Sequence, residues 1–345
     1  MRFKSDYSLV KTEVIMEENS KGKIVPPSKR KLMLIKKIEE LRDGGYKLRS
    51  QKNFSVVLAR KSQEKDKDFL TPVDVVIPNT KWSSENSEAN VNIIPRFSTE
   101  IFNGVHYTKT TVAGNNPLQY HTVYIDLTNP DLYFLVTPPR SKSDLELYSM
   151  KTTGFVRKYN LSLAINGDGW TPWDPQTGVP RIGDDVDITS YAMSNGEEYS
   201  IGIQDYTIYI SEDNSVSIGE PLAHSYNAIT GLGTLLKDGG IHSYANDGSK
   251  HPRTAIGLDK TGTIMIWVVI DGRQSFSEGV SLYETANIML DAGSYDAVNM
   301  DGGGTSTMAM STNLRPMIIN NPCNWITPPF FERSGGNHLG IGFKD

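Results

Sequence analysis

One cysteine, Cys323, stands in 345 residues. That excludes an internal disulfide framework and any zinc site built on a cysteine cluster. The six histidines are scattered, and no two are spaced four apart as on a metal-binding helix. No apolar stretch approaches the roughly 20 residues of a bilayer span; the longest, 264–270, includes Met265 and Trp267. None follows Met1-Arg2-Phe3-Lys4-Ser5-Asp6 either, so no secretory signal is expected. This predicts a soluble chain, either cytoplasmic, released by lysis or associated with a virion. Repeats and low-complexity tracts are also missing. With 38% hydrophobic and 22% charged residues and a mean hydropathy of -0.38, the composition is that of a globular protein.

Charge is unevenly shared. Residues 1–70 carry 18 Lys and Arg against 10 Asp and Glu, whereas the rest carry 17 against 30. A basic segment can follow an anionic polymer; its plain reading is a solvated helix face. Aromatic residues are not interleaved with the basic ones, so no nucleic-acid partner is expected.

Pro26-Pro27-Ser28 precedes a stripe of Leu32, Ile35, Ile38 and Leu41 that Gly44-Gly45 stops, which predicts a helix over 28–43. Strands are expected at 46–50 and 54–60, giving a small basic helix–hairpin module over 1–61. Its one amphipathic face is small, so it is expected to dock on a partner or on the main domain. A polar linker over 62–92, interrupted by a β-like piece at 73–77, leads to a catalytic-size domain over 93–345. There, short β-rich runs recur at 121–127, 132–136, 162–166, 206–210 and 263–271. Only 148–159 and 281–292 read as long helices, the second with Leu282, Ala286 and Met289 on one face. Few helices among many strands predict an α+β fold, a mixed β-sheet catalytic domain.

The strongest chemical signal is Asn299-Met300-Asp301-Gly302-Gly303-Gly304-Thr305-Ser306-Thr307. Asp301 stands where a strand gives way to three glycines, whose amides can converge on an anion, with Thr305 and Ser306 hydroxyls beside them. A capped tight turn is the plainer reading, but it needs fewer glycines. Sugar kinases carry a similar phosphate loop, Asp-x-Gly-Gly-Thr, but on their first strand and with a second loop that this sequence lacks. Arg253, in His251-Pro252-Arg253-Thr254, offers a fork for a phosphodiester. Asp271-Gly272-Arg273 closes the most apolar strand, and Asn166-Gly167-Asp168 another. Glu284 forms a capping box with Ser281, a sufficient structural reason for it.

In this order, together with Gly231-Leu232-Gly233 and Glu332-Arg333, these motifs resemble the phosphodiester glycosidase family over about 98–343, densest between 251 and 308. Family members often have Ser where Thr305 stands, which keeps the hydroxyl. Residues 1–92 lie outside the resemblance. It implies hydrolysis of a sugar-1-phosphodiester in a glycoconjugate or polysaccharide, teichoic-type polymers included, yielding free sugar and a phosphomonoester. Asp301 would be the base, Glu284 or Asp271 the second carboxylate, and Arg253 a catalytic cation. Asn166, Asp168, Arg273, Arg333 and the 302–306 loop would bind sugar or phosphate. Neither a cofactor nor a metal is expected. The alternative is a sugar-phosphate binding module of a cell-surface or virion structure.

Overall fold

The computed structural model describes residues 46–52, 55–60, 74–77, 93–95, 97–140, 145–172, 181–202, 204–323 and 331–344. The helix expected at 28–43 lies outside them. Tyr46–Lys52 pairs antiparallel with Ser55–Arg60.

The strands that position the site are, in chain order, β1 (Val105–Val112), β2 (Leu118–Asp126), β3 (Leu132–Val136), β4 (Leu163–Asn166), β5 (Ser225–Thr230), β6 (Gly233–Lys237), β7 (Arg253–Leu258), β8 (Ile264–Ile270), β9 (Asp296–Asn299), β10 (Met308–Met310) and β11 (His338–Phe343). The α-helices among the described residues are α1 (Thr152–Tyr159) and α2 (Leu282–Asp291). This is the strand-dominated domain that composition and pattern predict. The first helix is shorter than its pattern suggests, because Leu147–Tyr148 pairs as a strand with Asp185–Ile188.

A nine-stranded sheet runs Gly240–Ile241, β6, β9, β7, β8, β2, β1, with Thr99–Phe102 and Asp74–Ile77 both on β1. Only the Asp74–Ile77 pairing is parallel. A second sheet runs Met317–Ile318, β10, β4, β11, β3, and a third is centred on β5.

β8 explains the arrangement. Its apolar run has no polar face because both faces are covered, as in a central buried strand. Met265, Trp267 and Val269 point into the core shared with the second and third sheets, where they meet Phe134, Ile165, Ile229 and Ile341. Ile266, Val268 and Ile270 face the opposite side, where α2 lays down Leu282, Ala286 and Met289. On the far side of the second sheet, Phe155 and Val156 of α1 cover Leu135, Ala164 and Ala309. The order of layers is therefore α2, large sheet, second sheet, α1. Removing the wholly buried Trp267 ring would cost roughly 3–5 kcal/mol.

His338 opens β11 in the middle of the second sheet. It is fully buried and stacked on Phe155 at 5.1 Å. Burial pushes its imidazole down to about 3, against an ordinary value near 6.5. The folded state keeps His338 neutral, so its effect on stability is constant above the unfolded value and grows unfavourable as pH falls toward the folded one. The expected outcome is that wild type loses about 2 kcal/mol relative to His338→Gln between pH 7 and pH 5. Urea unfolding of both proteins at each pH checks this, since opposing contributions from buried carboxylates cancel in the difference.

Candidate active site

The ends of strands from both sheets meet at one edge. Arg253 opens β7 opposite Ile270, the last residue of β8. Asn299 closes β9 opposite Ala255 and Gly233. In the second sheet, Asn166 closes β4 opposite His338. The loops leaving these ends carry Gly167-Asp168, Asp271-Gly272-Arg273 and the 301–306 segment.

The amide of Asn166 fastens them together. Its Nδ2 donates to the Asp301 carbonyl at 2.6 Å. Its Oδ1 accepts from Thr254 Oγ1 at 2.7 Å and from the Thr307 amide at 3.1 Å. These bonds engage both ends of the Asn166 side chain, expected to bind substrate, which is 2% exposed.

Asp301 is held just as closely. Its amide donates to Gly167 O at 2.9 Å, Oδ1 accepts from the Gly302 amide at 2.9 Å, and Oδ2 accepts from Thr305 Oγ1 at 2.7 Å. Burial pushes the carboxyl above its ordinary range, while the Thr305 hydroxyl, the Arg333 charge and the Gly302 amide pull it partway back.

Asp168 stands beside it at 1% exposure. Asn337 receives its amide at 2.7 Å, and Oδ1 accepts from Gly169 N at 2.6 Å. Oδ2 makes no hydrogen bond of normal geometry, although Ser190 is near enough to steady its charge. Burial pushes this carboxyl well above the usual range, and the charge of Asp301 adds to the shift. Asp168 and Asp301 thus form a carboxylate couple with both carboxyls pushed upward by burial; each has hydrogen-bond donors, but only Asp301 has a guanidinium, Arg333, pulling it back.

Three guanidiniums complete the site. Arg253 is fixed by Val280 O at 3.2 Å and Ser249 O at 2.9 Å. Arg273, itself left-handed at φ 60, reaches His251 Nδ1 at 3.3 Å. Its guanidinium lies where a Cβ on Gly303 would come within 3.1 Å, and Gly303 has φ 66, so both space and backbone call for glycine there. Arg333 lies over the Trp170 ring at 5.4 Å, and its buried Nε has no hydrogen-bond partner among the described residues. Burial is the largest influence lowering the Arg273 pKa, and the charges of Arg333 and Arg253 add to it. Three cations that repel one another beside a buried carboxylate couple form a place for a dispersed anion.

Other expected site residues are tied into the fold. The oxygens of Asp271, expected as a second carboxylate, accept from Gln119 Nε2 at 2.6 Å, Asn321 N at 2.7 Å, and the Asn320 and Asn321 side-chain amides at 3.1 Å each. His121 Nε2 stands 3.5 Å away. Burial would raise this carboxyl, but His121 and those donors outweigh it and leave Asp271 below its usual range. It sets the turn that presents Arg273. Glu284 is engaged in a full capping box, accepting from Ser281 N at 2.8 Å while its own amide donates to Ser281 Oγ at 3.1 Å. Two amides of the glycine loop are also engaged. Gly302 N is spent on Asp301 and Gly303 N on Pro252 O at 2.8 Å. The loop aims Asp301, and Thr305 serves the same end. Ser306 is wholly buried, with no hydrogen-bond partner for its Oγ among the described residues.

Sequence reasoning missed Asn337, Trp170 and His251 as site residues. They carry no local motif, although His251 stands two residues before Arg253. Among the described residues no helix is long and apolar enough to cross a membrane, and no three His, Cys, Asp or Glu side chains gather as a metal-binding group.

Solved structures share the fold. The catalytic domain of zebrafish N-acetylglucosamine-1-phosphodiester alpha-N-acetylglucosaminidase, described as auto-inhibited by its pro-peptide, aligns at TM-score 0.52 and 18% identity over 71% of this chain and 86% of that one. A hypothetical protein from Synechocystis aligns at TM-score 0.53 and 12% identity, over 70% of this chain and 62% of its own. In sequence, the SPbeta prophage-derived uncharacterized protein YomE of Bacillus subtilis (strain 168) is 30% identical over 53% of this chain and 28% of its own length. The Bos taurus N-acetylglucosamine-1-phosphodiester alpha-N-acetylglucosaminidase is 25% identical over 31% of this chain and 23% of its own. The matched regions thus span about a quarter of the length of these curated relatives. Residues 132–342, more than half of the chain, match the family described as phosphodiester glycosidase, and the chain belongs to that family.

Proposed function

We propose that this protein hydrolyses the bond between a sugar and a phosphodiester in a glycoconjugate or polysaccharide, releasing free sugar and a phosphomonoester. The observation that carries this reading is the Asp168–Asp301 couple set beside Arg253, Arg273 and Arg333. A glycosyl phosphodiester combines a dispersed negative charge with an anomeric carbon that turns positive as its bond breaks. Guanidiniums suit the first and an ionised carboxylate the second.

Asp301, the more easily ionised of the two, takes a proton from water as the water oxygen attacks the anomeric carbon. The bond from that carbon to the bridging oxygen breaks, and its electron pair leaves with the phosphate. Asp168 returns a proton to the phosphate oxygen. Because phosphate is a good leaving group, most of the barrier reduction falls to the arginines and to Asp301.

The couple requires Asp301 ionised and Asp168 protonated. Turnover should therefore fall as pH rises through the raised value of Asp168, and fall again in acid as Asp301 takes up a proton. Asp168→Asn should remove the alkaline limb and retain the acid one, and Asp301→Asn should lower kcat by about 10²–10⁴-fold. Hydrolysis of a panel of glycosyl phosphodiesters in H2-18O, followed across pH, checks both. Label in the sugar supports the reading, label in the phosphate places the cut at phosphorus, and binding without turnover makes the chain a sugar-phosphate binding module.

Glu284 gives a separate contrast. Glutamine keeps the capping box, so Glu284→Gln should retain turnover within about threefold, and Ser281→Ala should cost roughly 1 kcal/mol of stability with little change in kcat. Loss of turnover in Glu284→Gln with an unchanged melting temperature would return Glu284 to the chemistry.

A further inference from the structure

The Gly231-Leu232-Gly233 turn plays no part in the chemistry above, yet it lies against it. It joins β5 to β6, and the Leu232 amide donates to Asn299 O at 2.7 Å. A Cβ on Gly231 would strike that same Asn299 carbonyl, so this position admits the backbone only. At Gly233 the reason differs. A Cβ there would come within 2.5–2.6 Å of three atoms of the Tyr244 ring, which is pressed onto the turn from the short 3-10 segment Ser243–Asn246. The His242 imidazole accepts the Tyr244 amide at 3.3 Å and so fixes where that ring starts.

The turn and the ring leave apolar surface uncovered beside the carboxylates. Leu232 is 37% exposed, and its Cδ2 lies where a Cβ on Gly169, the neighbour of Asp168, would approach within 3.3 Å. Tyr244 is 36% exposed. Its hydroxyl stands 3.5 Å from Asn299 Nδ2, and Asn299 Oδ1, in a side chain 2% exposed, has no hydrogen-bond partner among the described residues. Tyr206, just before the third sheet's Thr207–Ser211, is within electrostatic reach of both Asp168 and Tyr244. An exposed leucine and a tyrosine beside an orphaned amide oxygen are what a pyranose needs. Its C–H face lies on the apolar surface, and its hydroxyls supply the donor that the oxygen lacks.

Resting on the glycosidase reading, we propose that Leu232 and Tyr244 form the wall on which the sugar ring of the substrate lies, with Asn299 Oδ1 accepting from one of its hydroxyls. The arginines hold the phosphate on the other side of Asp301. The bond to be cut then falls between the two, and the neutral sugar and the anion are bound by separate groups.

That separation is testable without turnover. Binding to the full chain is measured for glucose, N-acetylglucosamine, galactose and mannose, and separately for inorganic phosphate, in wild type, Tyr244→Ala, Tyr244→Phe, Gly233→Ala and Arg273→Ala. The expected result is that Tyr244→Ala and Gly233→Ala weaken the best-bound sugar by about tenfold and leave phosphate within about twofold. Tyr244→Phe should keep the sugar, and Arg273→Ala should show the reverse pattern. Unchanged melting temperatures exclude misfolding as the cause. Sugar binding that is unaffected by Tyr244→Ala, or sugar and phosphate lost together, would overturn the proposal, as would a wild type that binds phosphate and none of the sugars. If sugar binding depends on Tyr244 while no glycosyl phosphodiester is cleaved, the wall stands and the hydrolytic reading fails.

Discussion

Everything in the site hangs on the side-chain amide of Asn166. It is the last residue of β4 in one sheet, yet it bonds to Thr254 in the other and to both sides of the glycine loop, at Asp301 and Thr307. A primary amide suits this task, because it offers donors and acceptors from one rigid plane. An aspartate there would lack the donor for the Asp301 carbonyl and would add a negative charge beside the Asp168–Asp301 couple. The sheets pack through apolar contacts that are not directional. The Asn166 bonds turn that packing into a fixed placement of Asp301.

A second principle is the division of labour among carboxylates. Asp271 is surrounded by donors and held ionised, and so it supports a turn. Asp168 has the Gly169 amide and Ser190 beside it, which do not offset its burial, and it is shifted the opposite way. The same side chain following two strands thus becomes a hydrogen-bonded brace in one place and a carboxyl that favours its protonated form in the other. What separates them is the supply of amide donors within reach, and Asn320, Asn321 and Gln119 all surround the former.

Much of the fold was legible because its signals are local. The run at 264–270 announces a strand covered on both faces, and Ser281 with Glu284 announces the start of α2. The glycine loop stands out in the sequence, but three glycines suggest open amides, and only the tertiary structure shows Pro252 O and the Asp301 carboxylate engaging two of them. Likewise nothing near Asp271 in the sequence reveals donors contributed from residues 119 and 320–321. Asn337 was invisible for the same reason, since its bond to the Asp168 amide spans 169 positions. Element patterns are written in neighbouring residues, whereas the protonation of a buried carboxyl is set by groups that only the completed fold brings close.

The placement of β11 bears on how such a protein is made. This strand, the last one described, lies between β3 and β4, so the second sheet has a gap at its centre until residues 338–343 are inserted. Asn166 is paired with His338, its first residue, and Asn337 immediately before it steadies Asp168. During synthesis the large sheet can form while β3 and β4 wait apart. The surroundings of the carboxylate couple are therefore complete only once residues 337–343 have joined the sheet, so a chain stalled before them would lack both the Asn337 brace on Asp168 and the strand that links β3 to β4.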